Sequence, residues 1–134
     1  FRPISVEEIE DHRIHSEHVT VPEATCQAIA TTRRTGGRVV AVGTTVVRSL
    51  ESAVDPDGRV HQFDGRTDQF IRPGYRFRAI DGLITNFHVP GSTLVVLMAA
   101  VLGERWRRVY QSALDRGYRF LSFGDAMYAD VERA

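Results

Sequence analysis

Three short polar segments contain the residues best suited to bind or transform a small ligand. They are Gly43-Thr44-Thr45, the segment 86–92 and Ser122-Phe123-Gly124-Asp125. Each follows a short apolar run that predicts a β-strand. If these strands are parallel neighbours, the three segments face one crevice, because open α/β sheets bind ligands at the carboxyl ends of their strands. The sequence therefore predicts a polar ligand site at that edge.

The side chains of these segments allow more than one role. His88, with Asn86 two residues before it, and Asp125 can transfer protons or orient a ligand, since a charge at a strand end often has a function. Thr44 and Ser92 either contact the ligand or cap the helices that follow them. The sequence leaves both alternatives open for each hydroxyl.

Two charged residues follow the threonine pair. Arg48 and Glu51 are three apart on a predicted helix, which favours a surface ion pair. Arg48 could instead bind an anion in the crevice. The spacing alone does not separate these alternatives.

A second cluster of titratable residues lies near the start of the chain: Asp11, His12, His15, Glu17 and His18. On a helix, His12 and His15 would share one face and could ligate a metal with Glu17. The alternatives are a solvated polar loop and a segment that transfers protons or orients a ligand, because histidine titrates near neutral pH.

Apolar periodicity predicts the elements that position these groups. Residues 81–93 are typical of a buried strand, a tight loop at Pro90-Gly91 and the start of an apolar helix. Further helices are predicted between Pro22 and Gly36 and over 46–53, 94–102 and 104–117, and further strands over 18–21, 38–43 and 118–123. The alternation predicts a single α/β domain over residues 1–134, with a layered sheet of mostly parallel strands and helices on both faces.

Composition excludes few functional classes. The 134 residues contain 17 Lys and Arg and 17 Asp and Glu, so no global positive field indicates nucleic-acid binding. The single cysteine, Cys26, cannot form an internal disulfide and fits a reducing compartment. The apolar helix over 94–102 is too short to span a bilayer. We expect a cytoplasmic protein without a membrane partner.

Because the chain opens on Phe1-Arg-Pro rather than Met, we expect a portion of a longer protein.

Five motifs resemble one family when taken together: Asp11-His-Arg-Ile-His-Ser-Glu17, Ala41-Val-Gly-Thr-Thr-Val-Val-Arg-Ser-Leu-Glu51, Phe70-Ile-Arg-Pro-Gly74, Thr85-Asn-Phe-His-Val-Pro-Gly-Ser-Thr93 and Tyr118-Arg-Phe-Leu-Ser-Phe-Gly-Asp-Ala-Met127. Their order and spacing are similar to the C-terminal motifs of the S-adenosylmethionine:tRNA ribosyltransferase-isomerases of queuosine biosynthesis. Three positions depart from the family pattern. Val46 stands where Ser is expected, Val89 where Leu is usual and Phe123 where Tyr is usual.

The resemblance implies a transferase that moves the ribosyl unit of S-adenosylmethionine onto the aminomethyl-deazaguanine base at the wobble position of tRNA. S-adenosylmethionine is then a substrate, and no metal or other cofactor is required. The family's chain is longer, with an N-terminal part of the α/β domain and an inserted β-barrel. The resemblance therefore implies that this chain is the C-terminal portion, without the barrel, and we expect a monomer.

The resemblance also suggests roles for individual residues. His88 and His15 are the candidates for proton transfer, and Asp125 and Glu17 for orienting them or the sulfonium substrate. The candidates for contacting substrate are Thr44, Thr45, Asn86, Arg48 and Ser92. For tRNA, the candidates are Arg72, Arg76 and Arg78, which are interleaved with aromatic residues. An ordinary solvated face explains these arginines equally well.

Two other functional classes remain open from the sequence. A metal-assisted hydrolase would use His12, His15 and Glu17. A non-catalytic relative would bind S-adenosylmethionine or RNA without turnover, and Val46 together with the missing N-terminal portion favours it.

Overall fold

A computed structural model describes residues 16–89 and 91–134. Within these ranges the strands are β1 (Glu17–Val21), β2 (Val40–Val42), β3 (Phe63–Thr67), β4 (Gly82–Asn86) and β5 (Ala126–Asp130). The helices are α1 (Glu23–Arg34), α2 (Thr44–Ser52), α3 (Thr93–Leu102) and α4 (Trp106–Asp115), with a short 3-10 turn at Gly103–Arg105. No helix in these ranges combines the length and hydropathy needed to cross a membrane.

The strands form two small sheets. In the three-stranded sheet β2 is parallel to β4 and β4 is antiparallel to β5, whereas β1 and β3 form an antiparallel pair. The α/β class is confirmed, but the prediction of mostly parallel strands is wrong for the described residues. One face of the larger sheet is also open there, with Val42, Ile84 and Tyr128 in register and 65%, 38% and 48% exposed. The prediction of helices on both faces is therefore wrong for this part of the chain.

The four predicted helices are present, but the last predicted strand is wrong. Residues 118–123 form a loop, and the strand that pairs with β4 begins at Ala126. Leu121 adopts φ 60°, which is incompatible with a strand, and its N–H donates to the carbonyl of Phe87 instead of to a sheet neighbour. Residues 63–67, which the sequence patterns did not predict as a strand, form β3 because β1 supplies an antiparallel partner.

The core lies between the closed face of the larger sheet and the helices. Helix α3 contributes five consecutive buried residues, 95–99, because protein surrounds it on most sides. Helices α1 and α2 bury one stripe each, with Ile29 and Val47 at their centres. This packing holds β4 rigidly and so positions the polar segment that follows it.

Candidate active site

The three polar segments lie at one edge of the larger sheet. Strands β2 and β4 are parallel and end there, and the N–H of Gly43 donates to the carbonyl of Ile84 at 2.8 Å. The side-chain amide of Asn86 donates to the backbone carbonyl of Asp125 at 3.0 Å. The three segments are therefore close together at this edge, and the contact to Asp125 is made by its backbone carbonyl. Asp125 lies at this edge for a different reason from the one predicted. It precedes the antiparallel strand β5 instead of following the end of a parallel strand.

Two helices begin at this edge, and their first residues carry hydroxyl groups. The N-cap of α2 is Gly43, at φ 95°, so the expected capping role of Thr44 is wrong. Thr44 is half-buried, Thr45 is exposed, and neither hydroxyl has a hydrogen bond within the described part of the chain. Free N–H groups and hydroxyls at helix N-termini attract anionic or polar ligand groups.

Ser92 is the N-cap of α3 by position, but its side chain makes no capping hydrogen bond. The residue is only 4% exposed, and its Oγ has no partner among the described residues. A buried hydroxyl without a partner is unfavourable in a folded protein. Ser92 therefore carries a buried hydroxyl that no described residue satisfies.

His88 is buried rather than displayed in an open crevice, with 7% of its surface exposed. Its Nε2 lies 3.1 Å from Oγ1 of Thr85, and its backbone N–H donates to the Tyr110 hydroxyl at 3.3 Å. Burial disfavours the charged imidazolium and lowers the pKa of His88 to about 4. The imidazole is therefore neutral near pH 7, and burial makes it a weaker base than an ordinary histidine.

Asp125 remains a carboxylate and uses it within its own loop. The carboxylate accepts the backbone N–H of Arg119 at 2.5 Å and Nε of the same residue at 3.3 Å. The backbone hydrogen bond, and then the guanidinium, lower the pKa of Asp125 from its ordinary value. The Asp125 carboxylate thus shapes the chain between α4 and β5, whereas its backbone carbonyl makes the contact with Asn86.

Glu17 and Arg48 form an ion pair across two elements. Arg48 on α2 is buried, and its Nη1 lies 2.5 Å from Oε2 of Glu17 on β1. Its Nε also donates to the carbonyl of Gln69 at 3.0 Å. The predicted surface pair between Arg48 and Glu51 is wrong in its location, because both residues are buried. Arg48 thus connects α2 to β1 and to the chain after β3.

Glu51, predicted only as one partner of a surface ion pair, anchors the chain before β4. Its carboxylate accepts hydrogen bonds from the Tyr75 hydroxyl at 2.9 Å and from the N–H groups of Arg78 and Ala79 at 3.2 and 2.9 Å. The spacing of Glu51 on an amphipathic helix does not reveal this role, because all its partners are distant in sequence.

The predicted tRNA-binding arginines lie on this anchored segment. Arg72 and Arg76 are exposed, Arg78 is half-buried, and the Arg72 guanidinium lies 6.0 Å from the Phe70 ring centre. The segment is anchored by Glu51, which lies about 10 Å along α2 from Thr44 because it is seven residues further along the helix. The tRNA-binding role of the three arginines stays a prediction.

The histidine cluster near the start of the chain is only partly described. Asp11, His12 and His15 lie outside the described residues, so the predictions for them stay predictions. His18 is exposed and its Nε2 lies 2.7 Å from Oδ1 of Asp64. In the ranges 16–89 and 91–134, no three His, Cys, Asp or Glu side chains are grouped so that they could hold a metal ion.

A cavity of about 340 Å³ lies between α1 and residues 57–62, and none of the predicted site residues lines it. Two of its lining arginines have partners elsewhere in the fold. Arg33 donates to the carbonyls of Gly58, Arg78 and Ala79, and Arg133 pairs with Asp81. Because the predicted site residues lie elsewhere, we locate the candidate site at the edge of the sheet.

Comparison with known proteins identifies the family. The family model described as "Queuosine biosynthesis protein" matches residues 1–129. The chain belongs to this family. The resemblance that its motifs indicate is thereby confirmed.

Family relatives match nearly the whole chain. S-adenosylmethionine:tRNA ribosyltransferase-isomerases from Pelotomaculum thermopropionicum and Pelobacter propionicus are 54% and 52% identical to it, over 95% and 97% of its length. The chain spans 38% of the length of each of these relatives. It therefore corresponds to less than half of the polypeptide found in these members of the family.

A solved family structure has the same fold. The S-adenosylmethionine tRNA ribosyltransferase from Thermotoga maritima is 47% identical, with a TM-score of 0.74 over 81% of this chain and 38% of that chain. At this identity the likeness supports the arrangement of the strands and helices described above. The roles of individual side chains at the sheet edge stay predictions.

Proposed function

We propose that this chain contributes to an S-adenosylmethionine:tRNA ribosyltransferase-isomerase. The reaction moves and isomerises the ribosyl moiety of S-adenosylmethionine onto the aminomethyl-deazaguanine wobble base of tRNA, giving epoxyqueuosine-tRNA and releasing adenine and methionine. The observation that carries the proposal is the identity of at least 52% to two relatives of that name across nearly the whole chain.

The reaction makes specific demands on a site. The sulfonium acidifies the adjacent ribose carbon, so a base must remove a proton there and a donor must protonate the departing adenine. The nucleobase must also be held in position to react. His88 and His15 are the proposed proton-transfer residues, and the neutral imidazole of His88 is in the form that accepts a proton.

The other predicted residues are proposed to bind and orient substrate. Thr44, Thr45 and Asn86 would hydrogen-bond the ribose or the base, and Ser92 would bind a polar group of S-adenosylmethionine at the start of α3. The free N–H groups of α2 and α3 suit the carboxylate of the methionine part.

Two ion pairs are proposed to support this binding: Asp125 with Arg119, and Glu17 with Arg48. Asp125 would orient the substrate while its loop keeps it ionised. Glu17, paired with Arg48, would hold the start of β1 beside α2.

Three further parts of the proposal concern the partners and the location of the protein. Arg72, Arg76 and Arg78 would contact tRNA phosphates. S-adenosylmethionine acts as a substrate, and no separate cofactor is proposed. A tRNA substrate favours a cytoplasmic location.

The decisive experiment measures adenine release from S-adenosylmethionine in the presence of tRNA carrying the aminomethyl-deazaguanine base. We expect release only when both substrates are present. Matched reactions omit the tRNA, or replace it with tRNA carrying guanine at the wobble position. Absence of release from the complete mixture would contradict the proposal that this chain is catalytic.

A second candidate function is a non-catalytic relative that binds S-adenosylmethionine or RNA. The observation that favours it is Val46, which follows Thr45 where the family pattern has Ser. Binding of S-adenosylmethionine without adenine release, measured by calorimetry on the same preparation, would support this alternative over the enzyme.

A further inference from the structure

Residues 119–125 form a loop that is anchored at both ends to the end of β4. At one end, the N–H of Leu121 donates to the carbonyl of Phe87 at 2.7 Å. At the other end, the carbonyl of Asp125 accepts the side-chain amide of Asn86 at 3.0 Å. Because Asn86 and Phe87 are consecutive, both hydrogen bonds hold the loop at the sheet edge of the candidate site. Phe123 is midway between the two anchors.

Internal contacts hold this loop in one conformation. Its ends are joined by the two hydrogen bonds from Arg119 to the Asp125 carboxylate. Gly124 adopts φ 124°, and a Cβ there would lie 2.8 Å from Nη2 of Arg119. Leu121 has φ 60°, the one positive value among the described residues other than glycine. Such a backbone costs about 1–2 kcal/mol for an L-residue, so other contacts must maintain it.

The conformation leaves the Phe123 ring in solvent. Phe123 is 67% exposed, the highest fraction among the large exposed hydrophobic residues of the described ranges. An exposed phenylalanine forgoes about 1.5–3 kcal/mol of burial free energy. The loop therefore combines a strained backbone with an exposed ring, and neither feature contributes to folding stability. Both features are consistent with a ring that is held ready for a ligand.

The residues shortly before Phe123 in the chain indicate the chemistry of that ligand. Tyr118, just before the loop, is 46% exposed, with its ring 5.6 Å from that of Phe87. The Arg119 side chain is 66% exposed although its Nε contacts Asp125. Exposed aromatic rings beside an arginine are typical of sites where unpaired nucleobases stack and the adjoining phosphate contacts the cation. This combination fits single-stranded RNA.

We propose that Phe123 is the stacking platform for an unpaired base of the tRNA anticodon loop, and that Arg119 contacts a phosphate next to that base. The proposal rests on the proposed function and adds a specific contact residue to it. Stacking on this ring would hold the anticodon loop of the tRNA beside Asn86 and His88. The aromatic face carries this role, so tyrosine at position 123 would also serve.

The test measures binding of an RNA hairpin of the anticodon-arm type with 2-aminopurine in its loop. Stacking on an aromatic ring quenches 2-aminopurine fluorescence, and a hairpin with the probe in its paired stem is the control RNA. For the wild-type chain we expect quenching with the loop probe but not with the stem probe. Phe123→Ala should weaken binding roughly tenfold and abolish the quenching, in line with the stacking contribution per base.

Two further variants separate stacking from other effects. Phe123→Tyr retains a ring and should bind within about twofold of wild type, because tyrosine supplies the same stacking face. Leu114→Ala removes another exposed apolar side chain, 53% exposed on α4, and should leave both the affinity and the quenching unchanged. Equal binding by Phe123→Ala and wild type, or no quenching of the loop probe by wild type, would overturn the proposal.

The result is distinguishable from failure of the proposed function. Adenine release by the wild-type chain combined with unaltered hairpin binding by Phe123→Ala would refute stacking and leave the enzyme standing. Ring-dependent quenching without adenine release would support stacking by a chain that binds RNA but does not catalyse the reaction.

Discussion

The side-chain amide of Asn86 donates a hydrogen bond to the backbone carbonyl of Asp125 at 3.0 Å, which joins the end of β4 to the start of β5. This contact brings Asp125 to the edge where β2 and β4 end. It also forms one anchor of the 119–125 loop. The integrity of the candidate site therefore depends on an amide donor at position 86.

Replacing Asn86 with Asp tests this dependence. A carboxylate cannot donate and would oppose the Asp125 carbonyl, so we expect a loss of about 1–3 kcal/mol in the free energy of unfolding. Urea denaturation measures the loss, and amide exchange at Leu121 should become faster. Gln62→Glu makes the same chemical change at an exposed position and should be nearly neutral. Equal stability of Asn86→Asp and wild type would contradict this interpretation of the contact.

The lowered pKa of His88 predicts that the stability of the fold depends on pH. Its pKa of about 4 in the folded state lies below the ordinary value of 6.5, so between these values the unfolded chain binds the proton more readily. Stability should be complete above pH 6.5 and fall by up to about 3 kcal/mol as the pH decreases to 4. Denaturant titrations across this range should show a shallower slope for His88→Gln than for wild type. His18→Gln, at an exposed histidine, should retain the wild-type slope.

If the chain releases adenine, replacing His88 should also slow that reaction. Replacement by Ala should lower turnover about a hundredfold or more, as expected for loss of a general acid or base. Circular dichroism must first show that the variant is folded, because the position is buried. His61→Ala is the matched control and should keep its activity. Unchanged turnover of folded His88→Ala would eliminate His88 as a proton-transfer residue.

We expect substitution of Glu51 to lower the stability of the fold strongly, although sequence patterns do not single this residue out. Glu51→Gln presents an NH₂ group to donors that need an acceptor, so we expect a loss of about 2–3 kcal/mol. Tyr75→Phe removes only one of the hydrogen bonds and should cost about 1 kcal/mol. Glu104→Gln, an exposed position, is the control. The anchoring role is refuted if Glu51→Gln unfolds at the same urea concentration as Glu104→Gln.

The arginines before β4 predict a salt-dependent interaction with tRNA. Each phosphate contact adds roughly one to the slope of log affinity against log salt, so the double variant Arg72→Ala, Arg76→Ala should lower that slope by about two. Filter binding or fluorescence anisotropy at several salt concentrations provides the measurement. The double variant Arg34→Ala, Arg59→Ala removes two exposed charges elsewhere and should keep the slope. A common slope for both double variants would indicate an ordinary solvated face.

Local patterns determined much of this protein. The periodicity of apolar residues was sufficient to locate all four helices, because burial of one face imposes a helical repeat that sequence alone displays. The short apolar runs before Gly43 and before Asn86 likewise indicated β2 and β4. Family membership followed from five linked motifs, which require no knowledge of side-chain contacts.

Tertiary structure decided the features that depend on distant partners. Residues 118–123 alternate like a strand, but the carbonyl of Phe87 and the Asp125 carboxylate hold that segment as a loop, and β5 pairs with β4 in the antiparallel direction instead. His88 is neutral because the packed core excludes water from it, which its position after a strand does not reveal. Arg48 and Glu51 are neighbours on α2, yet they contact different segments of the chain. A hydrogen bond or burial event that joins residues far apart in sequence leaves no periodic signal, so only the folded chain could show it.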